Sequence, residues 1–155
     1  MNGQPHGQGD EYYEDGTLRY SGGWNSGVWS GQGTWYWENG NKYYEGDFMD
    51  GQPHGDGTIY SDSEEIIYEG ECTKGLRNGY GVLYDNGVKE YEGAFLDNER
   101  YGLGTSYWPN GEIQYEGYWQ DGFYSGEGKE YDEDGNLLRE GVFNNGDLIP
   151  SGTDS

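Results

Sequence analysis

The chain is poor in the residues that most often carry chemistry: one cysteine, two histidines, four prolines and eight basic residues in a total of 155. A lone cysteine, Cys72, cannot form an intramolecular disulfide and gives no sign of an oxidising compartment. Apolar stretches run only two or three residues, so no signal peptide or membrane span is read, and the cytoplasm is the expected location. The cations Arg19, Lys42, Lys74, Arg77, Lys89, Arg100, Lys129 and Arg139 are scattered among 30 acidic residues, for a net charge of −22. Anionic lipid and nucleic acid both demand clustered Lys and Arg, so membrane attachment and direct nucleic-acid binding are not expected.

What is present is glycine and aromatic side chains: 31 Gly, 17 Tyr, 6 Trp and 4 Phe. Low hydrophobicity with high net charge would suggest disorder, but disordered chains are poor in aromatics, and here they keep a strict period. Gly-x-Gly pairs recur at Gly7/Gly9, Gly31/Gly33, Gly55/Gly57, Gly79/Gly81, Gly102/Gly104 and Gly126/Gly128, in steps of 24, 24, 24, 23 and 24 residues. A second marker keeps the same beat: Tyr20-x-Gly22-x-Trp24, Tyr44-x-Gly46-x-Phe48, Tyr68-x-Gly70-x-Cys72, Tyr91-x-Gly93-x-Phe95, Tyr115-x-Gly117-x-Trp119 and Arg139-x-Gly141-x-Phe143. Periods of this length mark a repeat array. The frame is one domain over residues 1–150, with a half repeat at 2–19, repeats at 20–43, 44–67, 68–90, 91–114 and 115–138, a half repeat at 139–150 and a tail at 151–155.

Residues 44–67 show how one repeat folds. Tyr44, Gly46 and Phe48 alternate with Glu45 and Asp47, as strand pleating requires. A turn-rich segment from Asp50 to Gly55 follows, and Gly57-Thr58-Ile59-Tyr60 reads as a second short strand. The next turn is Asn39-Gly40, Asn86-Gly87, Asn110-Gly111 or Asp134-Gly135 in other repeats, with Asp15-Gly16 before the first; these pairs favour type I′ hairpins. A turn after every strand with no helix between predicts an all-β, single-layer, twisted antiparallel meander of about 12 strands, roughly 55 Å long. Strand glycines mark close approach by another group, so rings from neighbouring strands are expected over the bare Cα positions, and stacking covers what one hairpin cannot.

Tyr44-Glu45-Gly46-Asp47-Phe48 … Gly55-Asp56-Gly57-Thr58-Ile59-Tyr60 and Tyr115-Glu116-Gly117-Tyr118-Trp119 … Gly126-Glu127-Gly128 resemble MORN repeats (membrane occupation and recognition nexus). Residues 110–146 are also similar to the shorter variant of bacterial proteins, some labelled antitoxins. The resemblance implies an elongated sheet serving as scaffold, dimerisation module or lipid-associated adaptor. It brings no shared catalytic site.

His6 and His54 occupy one turn position two repeats apart, roughly 20 Å, too far to share a metal or act as a pair. Asp132-Glu133-Asp134-Gly135-Asn136 lacks the sixth-place Gly and twelfth-place Glu of a calcium loop. No catalytic residue, cofactor or metal site is expected, and an enzyme is the least favoured class. The surplus aromatics Trp29, Trp35, Tyr36, Trp37, Trp108 and Tyr124 are candidates for a partner-binding face, because Tyr and Trp suit interfaces. Thr34-Trp35-Tyr36-Trp37 is also similar to choline-binding cell-wall modules, which would require secretion.

Glu45, Glu69, Glu92, Glu116 and Glu140 form a column about 9.6 Å apart if two strands separate them. That is sparser than the 3.4 Å phosphate step of one DNA strand. The favoured function is a non-enzymatic scaffold for a protein partner of unknown identity, self-associating as a homodimer through a sheet edge; the half repeats at both ends also allow a missing flanking segment. The alternatives are an acidic decoy that occupies a basic partner, as a nucleic-acid mimic or antitoxin-like inhibitor, and lipid or glycan recognition through aromatic grooves.

Overall fold

A computed structural model describes residues 3–150; Asn2 of the first half repeat and the tail 151–155 lie outside the described residues. The chain divides into two compact units between Leu76 and Arg77. The first holds β1 (Gly7–Tyr12), β2 (Leu18–Asn25), β3 (Val28–Tyr36), β4 (Lys42–Met49), β5 (Gln52–Tyr60) and β6 (Ile66–Thr73). In the second are β7 (Leu76–Asp85, starting at the boundary), β8 (Val88–Leu96), β9 (Glu99–Tyr107), β10 (Ile113–Gln120), β11 (Phe123–Tyr131), β12 (Leu137–Asn144) and β13 (Asp147–Leu148). Within each unit every strand pairs antiparallel with its neighbour in sequence. Both units are therefore meanders, and no helix occurs among the described residues. The count is thirteen strands rather than about twelve because the two-residue β13 returns onto Phe143 and Asn144.

The turns differ from the sequence expectation in an instructive way. Type I′ geometry falls at Asp50-Gly51 (φ +53° and +82°) and Asp121-Gly122 (φ +51° and +84°). The segment read as one long turn from Asp50 to Gly55 is thus a two-residue hairpin, and β5 already begins at Gln52, so His54 sits in a strand. At Asn39-Gly40 only the glycine is left-handed (φ +92°). There the Trp37 N–H donates to Asn41 O at 2.8 Å and the Gly40 N–H to Trp37 O at 3.0 Å, while Asn39 Oδ1 accepts the Asn41 N–H at 2.8 Å. The Asn side chain mimics a backbone turn, so this loop is wider than type I′. Asn86-Gly87 alone keeps type I′ at that place (φ +51° and +79°). Tyr84 pairs with Lys89 where Tyr60 pairs with Ile66, one residue fewer. That tight turn is the source of the single 23-residue step.

One face of each sheet carries the core. Tyr20, Tyr44 and Tyr68 in the first unit, and Tyr91 and Tyr115 in the second, are each 0% exposed. Every one of these phenols donates to the backbone carbonyl three residues on: Gly23, Asp47, Glu71, Ala94 and Tyr118, at 2.7–3.0 Å. A buried Tyr needs such a partner for its O–H, and a local carbonyl supplies it without a second chain segment. The rings of Tyr20, Tyr44, Tyr91 and Tyr115 cross to the next strand, so a methyl group built at Gly57 or Gly104 would overlap the Tyr44 or Tyr91 phenol. The second glycines Gly33, Gly57, Gly104 and Gly128 are therefore the seats of tyrosine rings, and Gly9 faces Trp24 instead. Edge-on partners follow two strands along, such as Tyr20–Phe48 at 5.1 Å and Tyr115–Phe143 at 5.4 Å.

Candidate functional site

The aromatic candidates divide between packing and partial exposure. Trp29 is buried, its ring parallel to Tyr20 at 4.5 Å, and its indole N–H points to Glu11 Oε1 at 3.3 Å. Tyr124 lies parallel to Tyr115 at 3.8 Å, and burial raises its phenol pKa above the usual value. Both therefore roof the core tyrosines. Arg100 takes the same role in β9, its guanidinium 4.9 Å from the Tyr91 ring and 5.1 Å from Trp119, anchored by Glu90 at 2.6 Å. Trp35 and Trp37 are half-buried around Tyr43, at 4.6 and 4.5 Å. Trp108 is half-buried and donates its indole N–H to Tyr131 O at 3.0 Å.

Tyr36 points to the opposite, outer face, at a position that recurs as Tyr12, Tyr60, Tyr84, Tyr107 and Tyr131. This tyrosine period is written in the sequence, although among its members only Tyr36 stands with the surplus aromatics. On the outer face three of these rings serve the glutamates. Tyr60 donates to Glu45 at 3.4 Å, Tyr107 to Glu92 at 3.4 Å and Tyr131 to Glu116 at 2.9 Å. Glu92 also accepts from Tyr80 at 2.9 Å and Lys89 at 3.2 Å; hydrogen bonds from these partners hold its carboxyl below the usual range. In register, Glu45 and Glu69 both flank Thr58 in the first unit, and Glu92 and Glu116 flank Thr105 in the second. Two strand steps within a unit give about 9.6 Å between neighbouring glutamates.

The outer face also holds a site that the candidate set lacks. The residue inside each Gly-x-Gly pair faces outward and opposes the residue after the strand glycine of its neighbour. In the first unit these cross-strand pairs are Gln8–Gly23, Gln32–Asp47 and Asp56–Glu71. In the second they are Tyr80–Ala94, Leu103–Tyr118 and Glu127–Val142. Leu103 is 60% exposed, Tyr80 54%, and Tyr118 and Val142 46% each. A trough of about 650 Å³ runs here across β9–β12, its floor the backbone of Gly117, Gly128 and Gly141. Leu103, Tyr118 and Val142 line it on one side and Glu116, Lys129 and Glu140 on the other. The equivalent trough of the first unit is lined by Gln32, Glu45, Asp56, Thr58 and Glu69 around Gly46, Gly57 and Gly70.

Chemically, the outer face offers hydrogen-bonded carboxylates and apolar contact. No group of three His, Cys, Asp or Glu side chains at metal-binding spacing is found among the described residues. Asp132 Oδ1 accepts the N–H groups of Asp134 and Asn136 at 2.9 Å; these bonds hold its carboxyl below the usual range and close the loop. His54 Nδ1 lies 3.4 Å from the Lys74 N–H.

A search of the curated proteins returns no match. The family model described as MORN repeat matches residues 1–18, 20–42, 44–63, 68–89 and 91–113, and the one described as MORN repeat variant matches residues 124–145. Strand β10 falls between the last two, yet Tyr115 and Trp119 pack as their counterparts do. With well over half of its length matched, the chain belongs to the MORN repeat family.

Proposed function

We propose that this protein is a non-enzymatic scaffold that holds a segment of a partner protein in the outer-face trough of its second unit. Membership in the repeat family points to protein or membrane-lipid interaction. The observation that favours a protein is the run of exposed apolar side chains Leu103, Tyr118 and Val142 beside a glycine floor. Exposed apolar patches rimmed by polar groups mark interaction sites, and the trough volume lies in the range of recognition pockets. Phosphate headgroups would meet Glu116, Glu127 and Glu140, with Lys129 the one cation in the lining.

The test is recovery of interaction partners on immobilised full-length protein, run with wild type and with a Leu103→Asp/Val142→Asp variant. Partners held by the trough are lost from the variant, whereas an unchanged set would refute the docking face. Co-sedimentation with phosphatidylserine vesicles at physiological salt would instead favour the lipid reading.

Self-association has its own support. Strand β12 pairs with β13 only at Phe143 and Asn144, and an Ile149 N–H bond reaches Val142 O. That leaves the side of β12 away from β11 unpaired from Leu137 to Gly141 among the described residues, with Leu137 50% and Leu138 55% exposed. Unpaired edges template further pairing. Light scattering across a concentration series should show a dimer that Leu138→Lys weakens; a monomer at every concentration would remove this part.

A further inference from the structure

The walls of the second-unit trough are chemically unlike, and their difference specifies an occupant. Gly117, Gly128 and Gly141 face one another across β10, β11 and β12; a side chain at Gly117 or Gly128 would meet the Tyr115 phenol on the core face, so the outer floor between the two walls is backbone. Leu103, Tyr118 and Val142 stand on one wall, with Glu127 among them. On the other stand Glu116, Lys129 and Glu140. Lys129 is drawn to Glu140 at 3.7 Å, with both side chains about half exposed, and Glu116 already accepts the Tyr131 phenol at 2.9 Å. The lining thus carries three carboxylates against one ammonium, in a chain of net charge −22.

Resting on the docking reading above, we infer that the trough takes a short basic–apolar segment of another protein. In this segment two or more apolar side chains lie against Leu103, Tyr118 and Val142, and Lys or Arg faces Glu116 and Glu140. Charge complementarity selects cations and rejects phosphate-rich or acidic partners. A second copy of this chain would bring the same excess of carboxylates to the trough and is disfavoured for that reason. Small cations alone would leave the apolar wall unused. From β9 to β12 is three strand steps, roughly 14 Å, which spans about nine residues of helix or about four of extended chain.

The experiment measures fluorescence anisotropy of four labelled 12-residue peptides against the full chain. The peptides combine Lys/Arg with Leu/Phe, Lys/Arg with Ser, Glu with Leu/Phe, and Ser with Leu/Phe. The basic–apolar peptide should bind at least about 10-fold more tightly than each of the others, a difference of about 1.4 kcal/mol. Leu103→Ser/Val142→Ser should weaken it about 10-fold, and Glu116→Gln/Glu140→Gln should weaken it less and flatten its salt dependence. Equal binding of the basic–polar peptide, or preference for the acidic–apolar one, would overturn the inference. Apolar peptides that bind regardless of charge, yet lose binding in L103S/V142S, would refute the basic partner and leave the docking face standing. Binding unchanged in that variant would refute both.

Discussion

The two units share one buried face and differ on the other. In the first, the outward positions between and after the glycines are Gln8, Gly23, Gln32, Asp47, Asp56 and Glu71; in the second they are Tyr80, Ala94, Leu103, Tyr118, Glu127 and Val142. The tyrosine rows beneath are the same: 0% exposed, each phenol on a local carbonyl, with Tyr20 and Tyr44 in one unit and Tyr91 and Tyr115 in the other lying over a glycine. What differs is what no core contact dictates. Repetition therefore constrains the tyrosine face and leaves the outer face free to specialise, and the second unit has used that freedom to expose apolar surface.

If the core rows are equivalent, they should fail together, and alkaline unfolding gives the largest test. Burial pushes the phenols of Tyr91 and Tyr115 up to about 12, and raises those of Tyr20 and Tyr44 as well. In the unfolded chain a tyrosine titrates at about 10. The folded state thus binds more protons above that pH, and the stability held below pH ~10 is lost as pH rises through ~12. For Tyr91 and Tyr115 together the loss is on the order of 5 kcal/mol, comparable with a whole domain's stability. Circular dichroism and tyrosinate absorbance followed from pH 9 to 13 should change together and cooperatively. Ionisation of all 17 tyrosines near pH 10 with the strand signal intact would show that the rings are not sealed.

Single-site changes in the core come next in size. Tyr44→Ala in the first unit and Tyr91→Ala in the second should each cost about 3–5 kcal/mol, as large aromatic truncations do. Gly57→Ala and Gly104→Ala should each cost about 1–3 kcal/mol by forcing the overlying ring aside. Urea denaturation measures all four. Near-equal losses within each pair support one shared core design; a glycine variant as stable as wild type would mean that its tyrosine ring lies elsewhere.

Much of this was readable from residues alone, because the period that builds the core is written in large, rare side chains. Tyr44, Gly46 and Phe48 fix strand, face and spacing at once. The turn chemistry was misread where Asn-Gly has two structural uses: at Asn86-Gly87 it makes a two-residue hairpin, and at Asn39-Gly40 the Asn side chain closes a wider loop. Only the backbone angles separate them, although the 23-residue step was the clue. Trp29 and Tyr124 drew notice as surplus aromatics, but a ring can roof another ring, and sequence spacing does not say which face receives it. The trough is hard to see in the sequence for the opposite reason. Its residues share no residue type from repeat to repeat, so a search for repetition passes over them, and the signal lay in the contrast between corresponding positions.

The smallest effect on stability is the one that speaks to function. Leu103 and Val142 are about half exposed or more, so replacing them removes little buried area, and surface changes of this kind stay within about 0.5 kcal/mol. A Leu103→Gln/Val142→Asp variant, which writes the first unit's chemistry onto the second, should keep the wild-type urea midpoint while losing binding of a hydrophobic dye. Apolar side chains added to the first unit by Gln32→Leu/Asp56→Leu should gain dye binding at unchanged stability, because the backbone floor is already present there. If the two exchanges leave dye binding where it was, the outer faces are not distinguished by these residues, and the difference between the units carries no recognition.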